Sequence, residues 1–205
     1  ATFTAWLDDD GFPDGEMLPM TVTVTVEDGK IVLDFEGTGP EARGALNIAT
    51  NALRASVYYS LKALLDPQLM ANSGMMDAVV IRAPEGSIAN PRAPAAVGAR
   101  TIACQRLTGA IFGAFQPLID PALRIGTAYD TLPSINFAGT RPESGKYYVC
   151  GESMGGGGAA RAEGDGMDGI HVHITNSLNL PSEAWEHEFP LLVEEYGLVA
   201  DSGGP

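Results

Sequence analysis

Positive charge is scarce in this sequence. Lysine and arginine together contribute 12 of the 205 residues, against 26 aspartates and glutamates, which leaves a formal net charge of −14. A surface this acidic repels phosphate backbones and anionic lipid headgroups, so we expect no nucleic-acid partner and no membrane binding. Solubility accounts for such a charge in many proteins, although acidic patches can also dock a basic partner subunit.

Cysteine and long apolar runs are scarce as well. Cys104 and Cys150 are the two cysteines, and neither has a CxxC partner, so we expect two buried thiols rather than a disulfide or a nucleophile. No apolar run approaches the roughly 18 residues of a membrane-spanning helix, and no signal peptide is visible. These absences predict a cytoplasmic protein.

Familiar catalytic signatures are also missing. The sequence contains no Gly-x-Ser-x-Gly elbow and no HExxH metal motif. A phosphate-binding P-loop needs a lysine after its glycines, and none follows the run Gly155–Gly158. No single motif therefore identifies a reaction.

Apolar periodicity predicts strands and helices in the order β-β-α-β-α, followed by several further strands. Thr21–Val26 alternates with period two, and Asp28-Gly29 is a typical hairpin turn ahead of a return strand. Apolar residues recur at helical spacing over two stretches that end before proline, Thr50–Leu65 and Thr101–Phe115. The other predicted strands are Ile31–Phe35, Val79–Ile81, Ser134–Ala138, Tyr147–Gly151, Ile170–Ile174 and Leu191–Val199. This order is typical of an α+β fold with a mixed or largely antiparallel sheet and two main amphipathic helices.

The ends of these elements are predicted from capping residues and turn composition. Thr50 and Ser182 are candidate N-caps because their hydroxyls can accept from backbone N–H groups of a first helical turn. Residues 1–18 are acidic and rich in turn formers, and no strand is predicted there. Asp8–Gly11 does not have the spacing of an EF-hand loop and is predicted to be a solvated turn.

The glycine run is the first candidate site. Gly155, Gly156, Gly157 and Gly158 present consecutive backbone N–H groups, a pattern that can bind anions. Two interpretations stay open, a mobile or tightly turned loop and a loop that approaches a substrate.

Two of the three histidines form the second candidate site. His171 and His173 are two residues apart in a predicted strand, which would place both imidazoles on one face. That arrangement is compatible with a metal site, a substrate contact, or structural and interface hydrogen bonds. A third ligand could come from Glu183 or Glu186 only through folding that the sequence does not reveal, so we assign no metal to this chain.

Carboxylates and amides complete the candidates. Glu183 and Glu186 are three apart on a predicted short helix, where they can serve acid–base chemistry or simply stabilise a helix start. Asn47 and Asn176 lie beside Gly, Thr, Ser or element boundaries, where asparagine commonly forms turns and caps.

The order of these unusual segments indicates a family. Asp34–Asn47 resembles the DFxGTxPxxRGxxN stretch of the hydantoinase B/oxoprolinase family. Further segments resemble that family in the same order along nearly the whole chain: Val57–Tyr59, Asn72–Gly74, Pro84–Ser87, Asn90-Pro91, Pro94–Val97, Gly155–Ala159, Asp165-Gly166, His171–Asn176, Pro181–Glu186 and Asp201–Gly204.

The resemblance implies a role in a larger enzyme. Members of this family act with a hydantoinase A-like, ATP-binding subunit to open cyclic amides such as hydantoins, N-methylhydantoin or 5-oxoproline. Related enzymes carboxylate ketones such as acetone or acetophenone. The family's divalent-metal ligands lie in an amino-terminal half that has no counterpart here, so we expect residues 1–205 to be a single carboxy-terminal portion, inactive alone, that binds no cofactor itself.

The expected partners are therefore the ATP-binding subunit, the remainder of the same subunit and a small-molecule substrate. A ketone carboxylase subunit and a non-catalytic assembly domain are the alternatives. No catalytic residue is assigned. The candidates for contact with substrate or with another subunit are Asn47, Gly155, Gly156, Gly157, Gly158, His171, His173, Asn176, Glu183 and Glu186.

Overall fold

The computed structural model describes residues 1–70, 72–127 and 133–200 and divides into two compact units. Unit 1 comprises residues 1–130 and 159–165, and unit 2 comprises residues 131–158 and 166–205. The predicted α+β fold class with a mixed sheet is confirmed. The family-like segment Asp201–Gly204 lies outside the described residues.

Unit 1 is built on a four-stranded sheet in the order β1-β2-β3-β4. β1 pairs with β2 and β2 with β3 in antiparallel fashion, whereas β4 runs parallel to β3. The strands are β1 Thr2–Leu7, β2 Leu18–Glu27, β3 Lys30–Asp34 and β4 Val79–Arg82.

The predicted hairpin between β2 and β3 is confirmed. Val22 and Val24 are buried on one face of β2, as the period-two pattern indicates. Asp28 and Gly29 both adopt positive φ angles, 47° and 71°, which suits a tight type I′ turn.

Bends and turns occupy much of residues 8–14, as the composition indicates, but a strand that was not predicted, β1, occupies Thr2–Leu7. β1 is joined to β2 by side-chain as well as backbone bonds: the hydroxyls of Thr2 and Thr23 lie 2.8 Å apart, and those of Thr4 and Thr21 2.9 Å apart. The alternation of apolar and polar residues in β1 was visible in the sequence but is short and adjoins an acidic run.

Two helices follow in unit 1, α1 at Thr50–Leu65 and α2 at Arg100–Phe115. The predicted helices are thus confirmed, but Ala49 rather than Thr50 is the N-cap of α1, and it makes no side-chain capping bond. α2 packs against β1 closely enough that a Cβ on Gly113 would lie 2.5 Å from the ring of Phe3, so this contact requires glycine.

Unit 2 contains an antiparallel pair of strands, β5 at Ser134–Thr140 and β6 at Tyr147–Ser153, and a short helix, α3 at Ser182–Glu188. Aromatic contacts attach α3 and the residue after it to the sheet. The Phe137 and Trp185 rings stack at 5.7 Å, and those of Tyr148 and Phe189 also lie 5.7 Å apart.

Three local predictions in unit 2 are wrong. Residues 170–174 do not form a strand, because the chain turns at residues 173–175. Residues 191–199 form no strand and pair with none in the described part of the chain. Ser182 is the first helical residue rather than the N-cap of α3, since Pro181 occupies the cap position.

Both cysteine thiols are buried and free of disulfide bonding, as predicted. Burial raises the pKa of Cys104 and of Cys150, so both stay protonated and poorly nucleophilic at neutral pH. Among the described helices, none is both long and apolar enough to cross a membrane.

Candidate functional site

Asn47 lies in the interior of unit 1, with 1% of its surface exposed. Its amide oxygen accepts from the backbone N–H of Ala42 at 2.9 Å, and its amide nitrogen donates to the carbonyls of Ala42 at 2.9 Å and Ala96 at 3.1 Å. The side chain therefore ties the loop before α1 to the loop before α2. Because both polar atoms of the Asn47 amide are hydrogen-bonded, the side chain can occupy a buried position without a large desolvation cost.

A second tie in unit 1 joins the loop after β1 to the loop that carries Asn47. The Arg43 guanidinium forms ion pairs with Asp10 and Asp14. Asp10 is 7% exposed, so the predicted solvated turn at Asp8–Gly11 is wrong for this residue. Its hydrogen bond from Arg43 holds the pKa of the Asp10 carboxyl below its usual value.

Unit 1 contains a cleft of about 820 Å³ bounded by α1, β4 and the 3₁₀ helix Ser73–Ala78; we call it the α1 cleft. Arg54 and Tyr58 lie four residues apart on α1, which places them on one helix face. Apolar lining residues are Leu53, Ala55, Met76, Val79, Ile81 and Ala83, and polar ones are Thr50, Asn51, Arg54, Tyr58, Ser73, Asp77 and Asn90.

An apolar surface with a few polar groups is typical of small-molecule sites. Sequence reasoning did not identify this cleft, because its lining comes from α1, the 3₁₀ helix and β4, which are distant in the chain. Two features could have pointed to the cleft: Arg54, which is exposed on α1, and the family-like segment Asn72–Gly74, whose Ser73 lines the cleft.

The glycine run lies in unit 2 and is held by internal hydrogen bonds. Gly156 N–H donates to the Ile170 carbonyl at 3.0 Å, and Gly158 N–H donates to the Met167 carbonyl at 2.8 Å. Gly155 N–H donates to the side-chain oxygen of Asn179 at 2.8 Å. These N–H groups are committed within the protein, so the run is not a cradle for phosphate.

His171 shares a partner with the glycine run. Its Nε2 lies 2.7 Å from Asn179 Oδ1, the same atom that accepts from Gly155 N–H, and its Nδ1 lies 3.0 Å from Thr175 Oγ1. We call Gly155, His171, Thr175 and Asn179 the Asn179 cluster. The structure therefore brings together the glycine run and one predicted histidine through a residue that sequence reasoning missed.

His171 and His173 do not share a strand face, because the chain turns from residue 173 onward. Burial lowers the pKa of His173 to about 4, so its ring is neutral at physiological pH. Asn176, with a φ of 47°, stands at the exposed end of this turn.

The remaining candidates lie on α3. Glu183 and Glu186 are both exposed, and Glu186 Oε1 accepts from the backbone N–H of Val193 at 2.9 Å. Within residues 1–70, 72–127 and 133–200, no group of three or more His, Cys, Asp or Glu residues is placed to hold a metal ion. The described residues therefore do not fit a metal centre.

These geometries separate two kinds of site. The Asn179 cluster is a network of internal bonds that orders the chain around the glycine run. The α1 cleft is open and carries charged and polar side chains beside apolar ones, so it is the better candidate for binding a small molecule.

Comparison with known proteins identifies relatives over the whole chain. The family model described as hydantoinase B/oxoprolinase matches residues 1–205. A 5-oxoprolinase from Pestalotiopsis fici, PfmaA, is 32% identical over 200 residues, which cover 95% of this chain and 15% of that protein.

Two solved structures share the fold. The ATP-dependent caprolactamase of Pseudomonas jessenii matches with a TM-score of 0.79 at 20% identity, covering 98% of this chain and 36% of that one. A nucleotide-free acetone carboxylase matches with a TM-score of 0.69 at 16% identity, covering 91% and 27%. The chain thus spans little more than a third, or less, of these proteins.

Proposed function

The chain belongs to the hydantoinase B/oxoprolinase family, and from that membership we propose that it is part of an ATP-dependent enzyme that opens cyclic amides such as hydantoins or 5-oxoproline. The observation that carries the proposal is the family match over all 205 residues. The 32% identity to a 5-oxoprolinase supports the same class of substrate.

We assign ATP binding to a hydantoinase A-like partner subunit. The committed N–H groups of Gly156 and Gly158, and the absence of a lysine after the run, support this division of labour. We assign the divalent metal of the family to the rest of this chain's own subunit. Among the described residues, no group of three or more His, Cys, Asp or Glu supports placing that metal in this part of the subunit.

The chemistry explains why such an enzyme consumes ATP. An amide carbonyl is a weak electrophile because the nitrogen lone pair is delocalised into it. Transfer of the terminal phosphoryl group from ATP to the amide oxygen converts that oxygen into a leaving group. Water then adds to the same carbon and the ring C–N bond breaks, which gives an acyl phosphate and an amine, or a ureido group where the ring is a hydantoin. A second water hydrolyses the acyl phosphate to a carboxylate and inorganic phosphate.

Reconstitution tests the proposal. The chain should be combined with the rest of its subunit and with an ATP-binding A-type subunit, and phosphate release measured with and without 5-oxoproline or a hydantoin. We expect ATP hydrolysis that depends on the cyclic amide and that is lost when this chain is left out. A well-folded, fully assembled complex that releases no phosphate with any cyclic amide would refute the proposed activity.

The same assembly tests the two alternatives. Similarity of fold to acetone carboxylase favours ketone carboxylation as the second candidate, which would show bicarbonate-dependent consumption of acetone or acetophenone. A non-catalytic assembly role would show cyclic-amide turnover by the remaining parts without this chain, with weakened association between subunits. These readouts differ from one another, so one set of assays separates the three.

A further inference from the structure

Opposite charges share the α1 cleft. Arg54 and Asp77 both line it, and both side chains are exposed to solvent. The ion pairs found within the described residues involve neither the Arg54 guanidinium nor the Asp77 carboxylate. The backbone carbonyl of Asp77 accepts from Lys30 Nζ at 2.6 Å, but Lys30 does not line the cleft. The cleft therefore offers one cation and one anion to a ligand.

Apolar surface accompanies these two charges. Val79, Ile81 and Ala83 line the cleft from β4 and the residue just beyond it, and all three are partly exposed. Burying an alkyl chain against such side chains is favourable, at roughly 25 cal/mol per Å² removed from water. An alkyl chain that links two charged ends would use the apolar and the charged lining together.

Neutral polar groups add hydrogen-bonding capacity. The Tyr58 hydroxyl accepts from the backbone N–H of Asn72 at 3.0 Å, which leaves its own proton for a ligand acceptor. The Asn90 amide nitrogen donates to the Ala83 carbonyl at 3.0 Å, which leaves its oxygen as an acceptor. Both residues line the cleft.

We propose that the α1 cleft binds a small zwitterion, in which a carboxylate faces Arg54, an ammonium group faces Asp77, and an aliphatic spacer contacts the apolar lining. A singly charged anion would meet repulsion from Asp77, and a singly charged cation would meet repulsion from Arg54. At about 820 Å³ the cleft is larger than a molecule of about ten heavy atoms, so water shares the space.

The identity of the zwitterion rests on the proposed function. Hydrolysis of a cyclic amide adds the oxygen of water to the carbonyl carbon, breaks the C–N bond and leaves both protons of water on nitrogen. In a simple lactam such as ε-caprolactam, the neutral ring amide thereby becomes a carboxylate and an ammonium group at the two ends of one chain. 5-Oxoproline gives the same pair and keeps its own carboxylate, whereas a hydantoin gives a carboxylate and an uncharged ureido group. The cleft is matched to that ring-opened product rather than to an uncharged lactam.

Binding to the full 205-residue chain tests the cleft directly. We suggest NMR titration with 6-aminohexanoate as the probe, and with hexanoate, hexylammonium and ε-caprolactam as ligands that lack one or both charges. We expect millimolar binding of 6-aminohexanoate, because exposed ion pairs are weak. Affinity for the probe should exceed that for each of the other three ligands by about threefold or more.

Two charge-removing variants assign the ends of the ligand. Arg54→Gln should weaken 6-aminohexanoate and hexanoate binding about threefold to tenfold and leave hexylammonium binding unreduced. Asp77→Asn should weaken 6-aminohexanoate and hexylammonium binding to a similar extent and leave hexanoate binding unreduced. Arg161→Gln and Glu163→Gln are matched controls, since both residues are exposed, belong to unit 1 and lie outside the cleft. Circular dichroism checks that each variant is folded.

Equal affinity for all four ligands, no binding of the probe, or variants that bind like the controls would each overturn the proposal. The result of this binding test can be distinguished from the result of the ATP hydrolysis test of the proposed function. Cyclic-amide-dependent ATP hydrolysis without probe binding would refute the cleft assignment alone. Probe binding with the expected variant pattern, but without such ATP hydrolysis, would refute the proposed function and leave the zwitterion site standing.

Discussion

At the scale of single residues, Asn47 shows how one buried amide holds two loops of unit 1. Replacement by alanine would leave the Ala42 N–H and the carbonyls of Ala42 and Ala96 without this partner. Because unsatisfied buried polar groups are costly, we expect Asn47→Ala to lower the free energy of unfolding of unit 1 by about 2–4 kcal/mol.

Urea denaturation followed by Trp6 fluorescence, in a Trp185→Phe background, would report on unit 1. Asn51→Ala is the matched control, since within the described residues the exposed Asn51 side chain bonds only to the adjacent Ala52 N–H. This substitution should change stability by no more than about 0.5 kcal/mol. An equal effect of the two substitutions would contradict this role of Asn47.

His173 makes the stability of unit 2 depend on pH. Burial lowers its folded-state pKa to about 4 from an ordinary 6.5, so the unfolded chain takes up a proton at higher pH than the folded one. Its contribution is fully present above pH 6.5 and is lost as pH falls from 6.5 to about 4. We expect this loss to amount to about 1–2 kcal/mol, since solvent partly screens a half-buried ring.

The measurement compares unfolding free energies at pH 7.5 and pH 4.5 for the parent chain and His173→Gln, with Trp185 as the reporter in a Trp6→Phe background. The parent should lose more stability than the variant, because other titrating groups affect both alike. His187→Gln, at an exposed position, should track the parent at both pH values. Parallel losses in the parent and His173→Gln would contradict the assignment.

Sequence reasoning located several of these residues without revealing what they contact. Asn47 was a candidate from its place in the family-like segment, yet its bond to Ala96 joins positions 49 residues apart. Asn179 was overlooked because an asparagine between two leucines gives no local signal. Pairing across such distances is decided by tertiary packing, which local patterns do not encode.

At the scale of secondary-structure elements, the glycine run depends on close backbone approach. A Cβ on Gly155 would lie 2.3 Å from the Gly169 carbonyl oxygen, well inside contact distance. We expect Gly155→Ala to force the two segments apart and to lower the stability of unit 2 by about 1–3 kcal/mol.

Gly197→Ala is the matched control, because among the described residues other than its chain neighbours no atom lies within 4 Å of the position that its Cβ would occupy. The same Trp185 fluorescence assay would measure both variants. If Gly155→Ala were as stable as Gly197→Ala, the close approach of the run to Gly169 would not be a constraint on the fold.

Elements with strong local signals were predicted well, and those with competing local bonds were not. The β2–β3 hairpin has both an alternating pattern and an Asp-Gly turn, and it forms as predicted. Residues 170–174 alternate equally well, but the Thr175 hydroxyl donates to the Val172 carbonyl at 3.0 Å and Asn176 adopts a left-handed conformation. These local bonds stabilise a turn in place of a strand.

At the scale of the whole molecule, the α+β class followed from the order of the elements, whereas the arrangement of the chain into two units did not. Residues 159–165 return to unit 1 between two parts of unit 2, and no change of composition marks that passage. The α1 cleft was likewise not predictable, since its charges come from α1 and from the 3₁₀ helix before β4.

The parallel pairing of β3 with β4 also sets an order of events during synthesis. β2 and β3 are neighbours in the chain and can associate as soon as both have left the ribosome, whereas Ile31 must wait for Val79, 48 residues later. Until then β3 has an open edge, which is a hazard for association with other nascent chains. The helix α1 is made in that interval, before β4 is available to pair with this edge.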